Sequence, residues 1–441
     1  MFDYDVIVVG CGPAGLMACG ELKRRGVSVT GIDIKVRLDK CYRAAAGFLY
    51  DEQDFNGENI RNEPRGDSTL FTFTKNGFSY LYPGKTMPVH QSHLISNGGN
   101  IYSVTALEKP FMHIMDPTTW LKGLYDEAVK AGVPFRTKTM LYNVREIPGG
   151  MEIDVRVDGK RQDKMTCRKL IAADGLLSRI AKRLGMNKDR PLSGRGPTVE
   201  YHMEQVETPF DDGDIGIFGK ENLSFSGFVI MVPSLGGPGS YRVETAIGMP
   251  AVNNYHAIEY FINKSRFSHW FKNAKIVDKY AALMEMYPAL KKPYKGNTIF
   301  LGDAAAMAES LYPGATACGY KGALAVIKEL SGEKGFEEYT HWWNNEAFEM
   351  TGDLQKMAEY VKRFLFEPWM GPEVMDELFK LARQKPFTVD AFKGNPYDFA
   401  RSVIEHLQSL PGVKPAWRDE LELLKKASLP EIIKRKRMVE K

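Results

Sequence analysis

Three groups of small and acidic residues in this 441-residue chain have the types and spacing that phosphate and sugar recognition requires. Gly10, Gly12, Pro13, Ala14 and Gly15 form a GxGxxG turn directly after the run Tyr4-Asp5-Val6-Ile7-Val8-Val9. Asp33 follows at about the twenty-residue distance of a ribose-binding acid. Glycines at such a turn let backbone approach a pyrophosphate, and the next helix favours negative charge at its N-terminus. Asp33 would accept hydrogen bonds from an adenosine ribose. The second group is Asp174-Gly175, read as the end of a strand before a short helix. The third is Gly302-Asp303, again at a strand end, with Gly314-Ala315-Thr316 at the expected start of a helix.

Holding these groups takes a βαβ unit. The β-branched run over 4–9 reads as a strand buried on both faces. A helix then runs to about Arg25, Gly26 ends it, and residues 27–32 form a second strand closing at Asp33. Strand, glycines, helix, strand and acid stand in register for a dinucleotide, although NAD and FAD both use this unit. Asp116 and Pro117 read as an N-cap and first-turn residue, with a helix through Trp120, Leu124 and Ala128 to Gly132.

The three motifs, in this order, resemble the FAD-dependent group that includes geranylgeranyl reductases, FixC-type dehydrogenases and aromatic hydroxylases, over residues 1–330. The resemblance implies an α/β (α+β) fold: a Rossmann-like FAD-binding domain, an inserted β-sheet substrate domain and a C-terminal helical region. The expected boundaries are 1–60, 110–186 and 290–330 for the discontinuous FAD-binding domain, 61–109 and 187–289 for the substrate domain, and 331–441 for the helices. It implies FAD as cofactor, with Ile34 and Lys35 joining the GxGxxG residues and Asp33 among its contacts. Asp174 and Gly175 would back the pyrophosphate, and Asp303, after Gly302, would bond ribityl hydroxyls. Backbone N–H groups of Gly314, Ala315 and Thr316 would point at the flavin's pyrimidine edge and stabilise negative charge on the reduced ring. Residues 39–47 are similar to a Cys-and-Gly segment of the reductases. Cys41, Ala45, Ala46 and Gly47 would lie along the isoalloxazine, where Cys41 is a candidate to donate a proton or tune the flavin. A buried space-filler is the other reading of Cys41. Related flavoproteins commonly place a cofactor-touching Arg near the start of the Asp116 helix, where this chain has Pro117.

Departures from the family pattern separate its branches. Ala306 stands where aromatic hydroxylases usually carry His, which favours the reductases. Residues 228–233 keep the Pro of an aromatic-rich reductase strand but lack its Trp and Tyr, so the pocket reads as apolar without a specific argument for a prenyl chain. The missing Trp also argues against flavin halogenases. No second GxGxxG follows a strand, so electrons are expected from transiently bound NAD(P)H or a ferredoxin-like protein. The expected reaction is hydride transfer from reduced flavin to a C=C bond of an apolar, isoprenoid-like or quinone-like substrate. A flavin-dependent monooxygenase of an aromatic substrate, and an electron-transfer flavoprotein with a protein redox partner, are the alternatives. Glu309 and Tyr312 are further acid–base candidates. His90 and His93 have metal-like spacing without clustered partners, and no metal is expected.

Composition bounds the rest. Nine basic and five acidic residues lie in 411–441, so the other 410 residues carry 50 of each sign. A neutral body argues against a nucleic-acid face. The five cysteines form no CxxC pair, which fits a reducing compartment and no iron–sulfur cluster. No apolar run has the length of a membrane span, and no leader is read at the N-terminus, so a cytoplasmic protein is expected. Residues 429–441, an apolar pair beside a basic run, offer a peripheral contact to an anionic membrane. The helices beyond Leu330 are expected to pack on the main body.

Overall fold

The computed structural model describes the chain except residues 46, 51–53, 56–57, 193, 211–212, 225–226, 246–252, 306–310, 348–361, 363–365, 390–397, 429–430, 433 and 436–441. Its contacts form two compact units, the first of residues 1–85, 115–195 and 284–352, the second of 86–114, 196–283 and 353–441. The fold mixes helix and sheet, as the sequence reading requires.

In the first unit, strand Tyr4–Val9 lies between Val29–Ile32 and Arg161–Ala172, parallel to both. Val8 sits in register with Gly31 on one side and Ile171 on the other. Thr298–Phe300 extends the parallel order beyond Arg161–Ala172, and Phe135–Arg136 extends it beyond Val29–Ile32. The hairpin of Thr139–Ile147 and Gly150–Val157 joins antiparallel on the first half of Arg161–Ala172. Val6, Ile7 and Val8 are fully buried, which is why this strand is an unbroken apolar run rather than an alternating one. Helix Pro13–Arg24 packs against helix Leu311–Leu330, bringing the first and third motifs together.

A meander of Glu58–Arg65, Ser68–Phe73 and Phe78–Tyr82 also belongs to this unit. The sequence reading places residues 61–85 with the substrate domain instead. Phe71 stacks on Trp120 at 5.1 Å between centroids, and the Tyr80 hydroxyl donates to the Trp120 carbonyl at 2.8 Å. Trp120 belongs to helix Pro117–Lys130, whose N-cap Asp116 accepts from the Thr119 N–H at 2.7 Å.

The second unit is built on a sheet in the order Lys275–Met286, Gly194–Glu204, Tyr241–Thr245, Phe228–Pro233, Asp214–Phe218, Gln91–Ile95, Ile101–Ala106, Phe387–Val389. Val199, Tyr201, Met203 and Val243 enter a core with Ile258, Phe261 and Trp270. His93 is committed to this fold, with Nδ1 2.8 Å from the Ser103 hydroxyl and its ring stacked on Phe210 at 4.0 Å.

Residues 331–441 do not form one region. Helix Gly335–Trp342 belongs to the first unit, where Trp343 Nε1 donates to the Leu290 carbonyl at 2.7 Å. The segments beyond residue 352 belong to the second unit, and Phe387–Val389 adds parallel to Ile101–Ala106 with Val104 facing Phe387. Among the described residues, no helix is long and apolar enough to cross a membrane.

Candidate cofactor and active site

Every described residue of the three motifs lies in the first unit. Gly10 has φ +96°, and a Cβ there would stand 2.2 Å from the Ala173 carbonyl oxygen. The 173–175 loop therefore backs the turn directly. A Cβ on Gly15 would stand 1.8 Å from the Gly10 oxygen, so this glycine permits the close approach of turn and helix. Gly12 differs, because a Cβ there would meet nothing within 4 Å. Gly12 is also the N-cap of helix Pro13–Arg24 and makes no side-chain capping bond. Open space beside uncapped N–H groups is what an anionic pyrophosphate fits.

Asp33 ends the second strand, buried, with Oδ2 accepting from the Cys11 N–H at 2.7 Å and Oδ1 from the Lys35 N–H at 2.8 Å. Lys35 Nζ donates to the Cys11 carbonyl at 2.8 Å. The carboxylate thus ties the glycine turn to the strand end, and each oxygen keeps a second lone pair for a ribose hydroxyl. Ile34 between them is exposed. The Asp174 carboxylate is occupied locally. It accepts from the Ser178 hydroxyl at 2.6 Å and the Arg179 N–H at 2.8 Å, holding the start of helix Arg179–Arg183. Burial pushes its pKa up, opposed by those bonds.

The other end of the site gathers around Cys41. Its N–H donates to Thr118 Oγ1 at 3.3 Å, one residue past Pro117. Its S–H donates to the Arg43 carbonyl at 3.3 Å, and its sulfur accepts from the Tyr312 hydroxyl at 3.3 Å. Arg43, half-exposed, reaches Asp303 Oδ2 at 3.4 Å. Tyr312 is buried, and burial, followed by the neighbouring Cys41, pushes its phenol well above the ordinary tyrosine range. Gly302 sits between helices at φ +56°, where a Cβ would contact Ala14 and Ala315 at 3.5 Å. The Gly47 carbonyl accepts from the Met115 N–H at 2.9 Å, and Ala45 packs on the cluster containing Cys41 and Tyr312.

The helix expected to face the flavin begins earlier than its Pro-Gly pair implies. It is described from Leu311, so Gly314, Ala315 and Thr316 stand within its first turns rather than at its tip. Thr316 is fully buried, donating to the Tyr312 carbonyl at 2.7 Å and accepting from Trp120 Nε1 at 3.1 Å. Ala46, Ala306 and Glu309 lie outside the described residues. The sequence reading assigns no role to Arg43, Thr118 or Trp120. Position in the Cys-and-Gly segment singles out only Arg43.

Comparison with known proteins agrees with the motifs. Residues 3–45 match the family model described as the FAD binding domain. Digeranylgeranylglycerophospholipid reductase 1 of Methanosphaera stadtmanae is 24% identical over 374 residues, covering 82% of this chain and 86% of that protein. A geranylgeranyl bacteriochlorophyll reductase-like protein of Thermoplasma acidophilum shares the fold with a TM-score of 0.66, at 14% identity and 99% coverage of both chains. An aklavinone-11 hydroxylase, solved with FAD and aklavinone, has a TM-score of 0.57 at 17% identity, covering 84% of this chain and 70% of its own. The cofactor of this site is FAD, and the resemblance to the geranylgeranyl reductase group extends over most of the chain.

Proposed function

We propose that this chain is an FAD-dependent oxidoreductase that saturates a C=C bond of an apolar, isoprenoid-like substrate. The observation that carries this reading is the reductase likeness in sequence across 82% of the chain, whereas the hydroxylase likeness is one of fold. Bound FAD, once reduced, supplies a hydride to one alkene carbon. The chain's own residues do the rest. The Gly10–Gly15 turn and the uncapped Pro13–Arg24 helix hold the pyrophosphate, Asp33 the ribose, and Asp303 the ribityl chain. Cys41 protonates the second alkene carbon from its S–H. Electrons reach the site from NAD(P)H or a small ferredoxin-like protein, and the basic C-terminus meets an anionic membrane where lipid substrates lie.

The test reduces the bound FAD without oxygen and then offers either a polyprenyl alkene or oxygen with an aromatic substrate. The reading expects the alkene to restore the yellow oxidised spectrum with one saturated bond formed per flavin. A hydroxylated aromatic product with oxygen, and no reaction with the alkene, would establish the monooxygenase instead.

A further inference from the structure

Tyr312 is buried beside Cys41. Its hydroxyl donates to the Cys41 sulfur at 3.3 Å. Its carbonyl is fixed by Thr316 Oγ1 at 2.7 Å, which in turn accepts from Trp120 Nε1 at 3.1 Å. Phe71 stacks on that indole. Each residue is buried, so Trp120 and Thr316 anchor the Tyr312 main chain while its hydroxyl reaches the thiol. The Cys41 N–H is held separately by Thr118. The charged neighbours of the pair are Arg43 on the same loop, Asp303 bonded to Arg43, and Asp116 at the N-cap of helix Pro117–Lys130.

We propose that Tyr312 is a positioning residue for Cys41, its hydroxyl holding the thiol in place and stabilising the thiolate that proton delivery leaves behind. The assignment deepens the alkene-reductase reading above and rests on it. In the step, hydride from reduced FAD forms a C–H bond at one alkene carbon. The Cys41 S–H bond breaks, its proton forms the second C–H bond, and its electron pair remains on sulfur. Tyr312 keeps its own proton throughout, because burial holds the phenol neutral, so its O–H remains a donor to the thiolate. Water returns a proton to Cys41 before the next turnover. A hydrogen bond to a charged sulfur is worth more than one to the neutral thiol.

The experiment uses the full chain loaded with oxidised FAD and follows iodoacetamide modification of Cys41 against pH, read at that peptide by mass spectrometry. Tyr312→Phe is expected to move the midpoint up by about one pH unit with FAD content unchanged. Thr316→Val keeps the Tyr312 hydroxyl but removes the link from its helical turn to Trp120, and should move it in the same direction by less. In alkene turnover, Tyr312→Phe should lower kcat about tenfold, raise the solvent deuterium effect and leave KM unchanged. Superimposable midpoints for the wild type and both variants would overturn the assignment. Full alkene reduction by Cys41→Ala would instead remove Cys41 as proton donor, a failure of the underlying reading that the thiol titration does not share.

Discussion

At the scale of single residues, the glycine turn separates two jobs that its motif writes with one letter. Gly12 has φ −84° and ψ −168° and open space where a Cβ would go. Gly12→Ala should therefore fold with stability within about 0.5 kcal/mol of the wild type. Its methyl group would fill the approach to the pyrophosphate, so FAD affinity should fall at least about tenfold, or about 1.4 kcal/mol. Gly15→Ala would press a methyl against the Gly10 oxygen, 1.8 Å away, and should destabilise the apoprotein by about 1–3 kcal/mol as well as release FAD. Flavin fluorescence titration beside urea unfolding of both apoproteins distinguishes the two, and equal destabilisation would refute the contrast. The local dinucleotide motif was legible in sequence because its residues lie within one βαβ unit. The Tyr312–Cys41 bond was not, since it spans 271 positions and depends on how the Cys41 loop packs on helix Leu311–Leu330.

At the scale of elements, the register of Gly194–Glu204 against Tyr241–Thr245 sets Glu200 opposite Glu244 and His202 opposite Arg242. Strand alternation sends Tyr201 and Val243 into the apolar core and leaves the four titratable groups on the other face. Burial first, and then the Glu200 carboxylate opposite, push the Glu244 pKa up from 4.5 to about 8, with Arg242 opposing. His202 Nε2 lies 2.6 Å from Glu200 Oε1, so part of that charge is already engaged. Between pH 4.5 and about 8 the folded state holds the Glu244 proton that the unfolded chain has lost. The contribution is fully present below that window and is lost as pH rises through it, with a slope no steeper than ~1.4 kcal/mol per pH unit. Glu244→Gln should flatten the slope in unfolding measured at several pH values, and an unchanged slope would show that Glu244 titrates normally. Sequence periodicity identifies strands here, but it does not reveal which strand lies opposite which. For the same reason residues 61–82 of the meander are expected from sequence in the substrate domain, although Phe71, Tyr80 and Tyr82 surround Trp120.

At the scale of the whole molecule, the charge excess belongs to the C-terminal 31 residues, and part of that segment is already engaged. Ile432 is 3% exposed. Arg435 pairs with Glu420 at 2.7 Å, and its guanidinium lies 4.4 Å from the centre of the Trp369 ring. The Trp369 indole in turn donates to the Glu420 carbonyl at 3.2 Å, so one cluster joins the tail to helices Phe366–Met370 and Pro415–Lys426. Deleting 430–441 removes the Ile432 burial, worth about 1.5–3 kcal/mol, and an Arg–Trp contact of about 0.5–2 kcal/mol. The second unit should then melt several degrees lower, given roughly 2–4 °C per kcal/mol for a unit of this size. FAD should be retained, because the turn, Asp33, Asp303 and Cys41 all lie in the first unit. Calorimetry with flavin absorbance reads both outcomes in one sample. An unchanged melting profile would mean that the tail contacts are worth nothing in solution and leave Arg435 available to an anionic vesicle. A lower one means that Arg435 reaches lipid only by giving up Glu420 and Trp369, so vesicle binding by the intact chain should weaken the stability of its second unit rather than add to it.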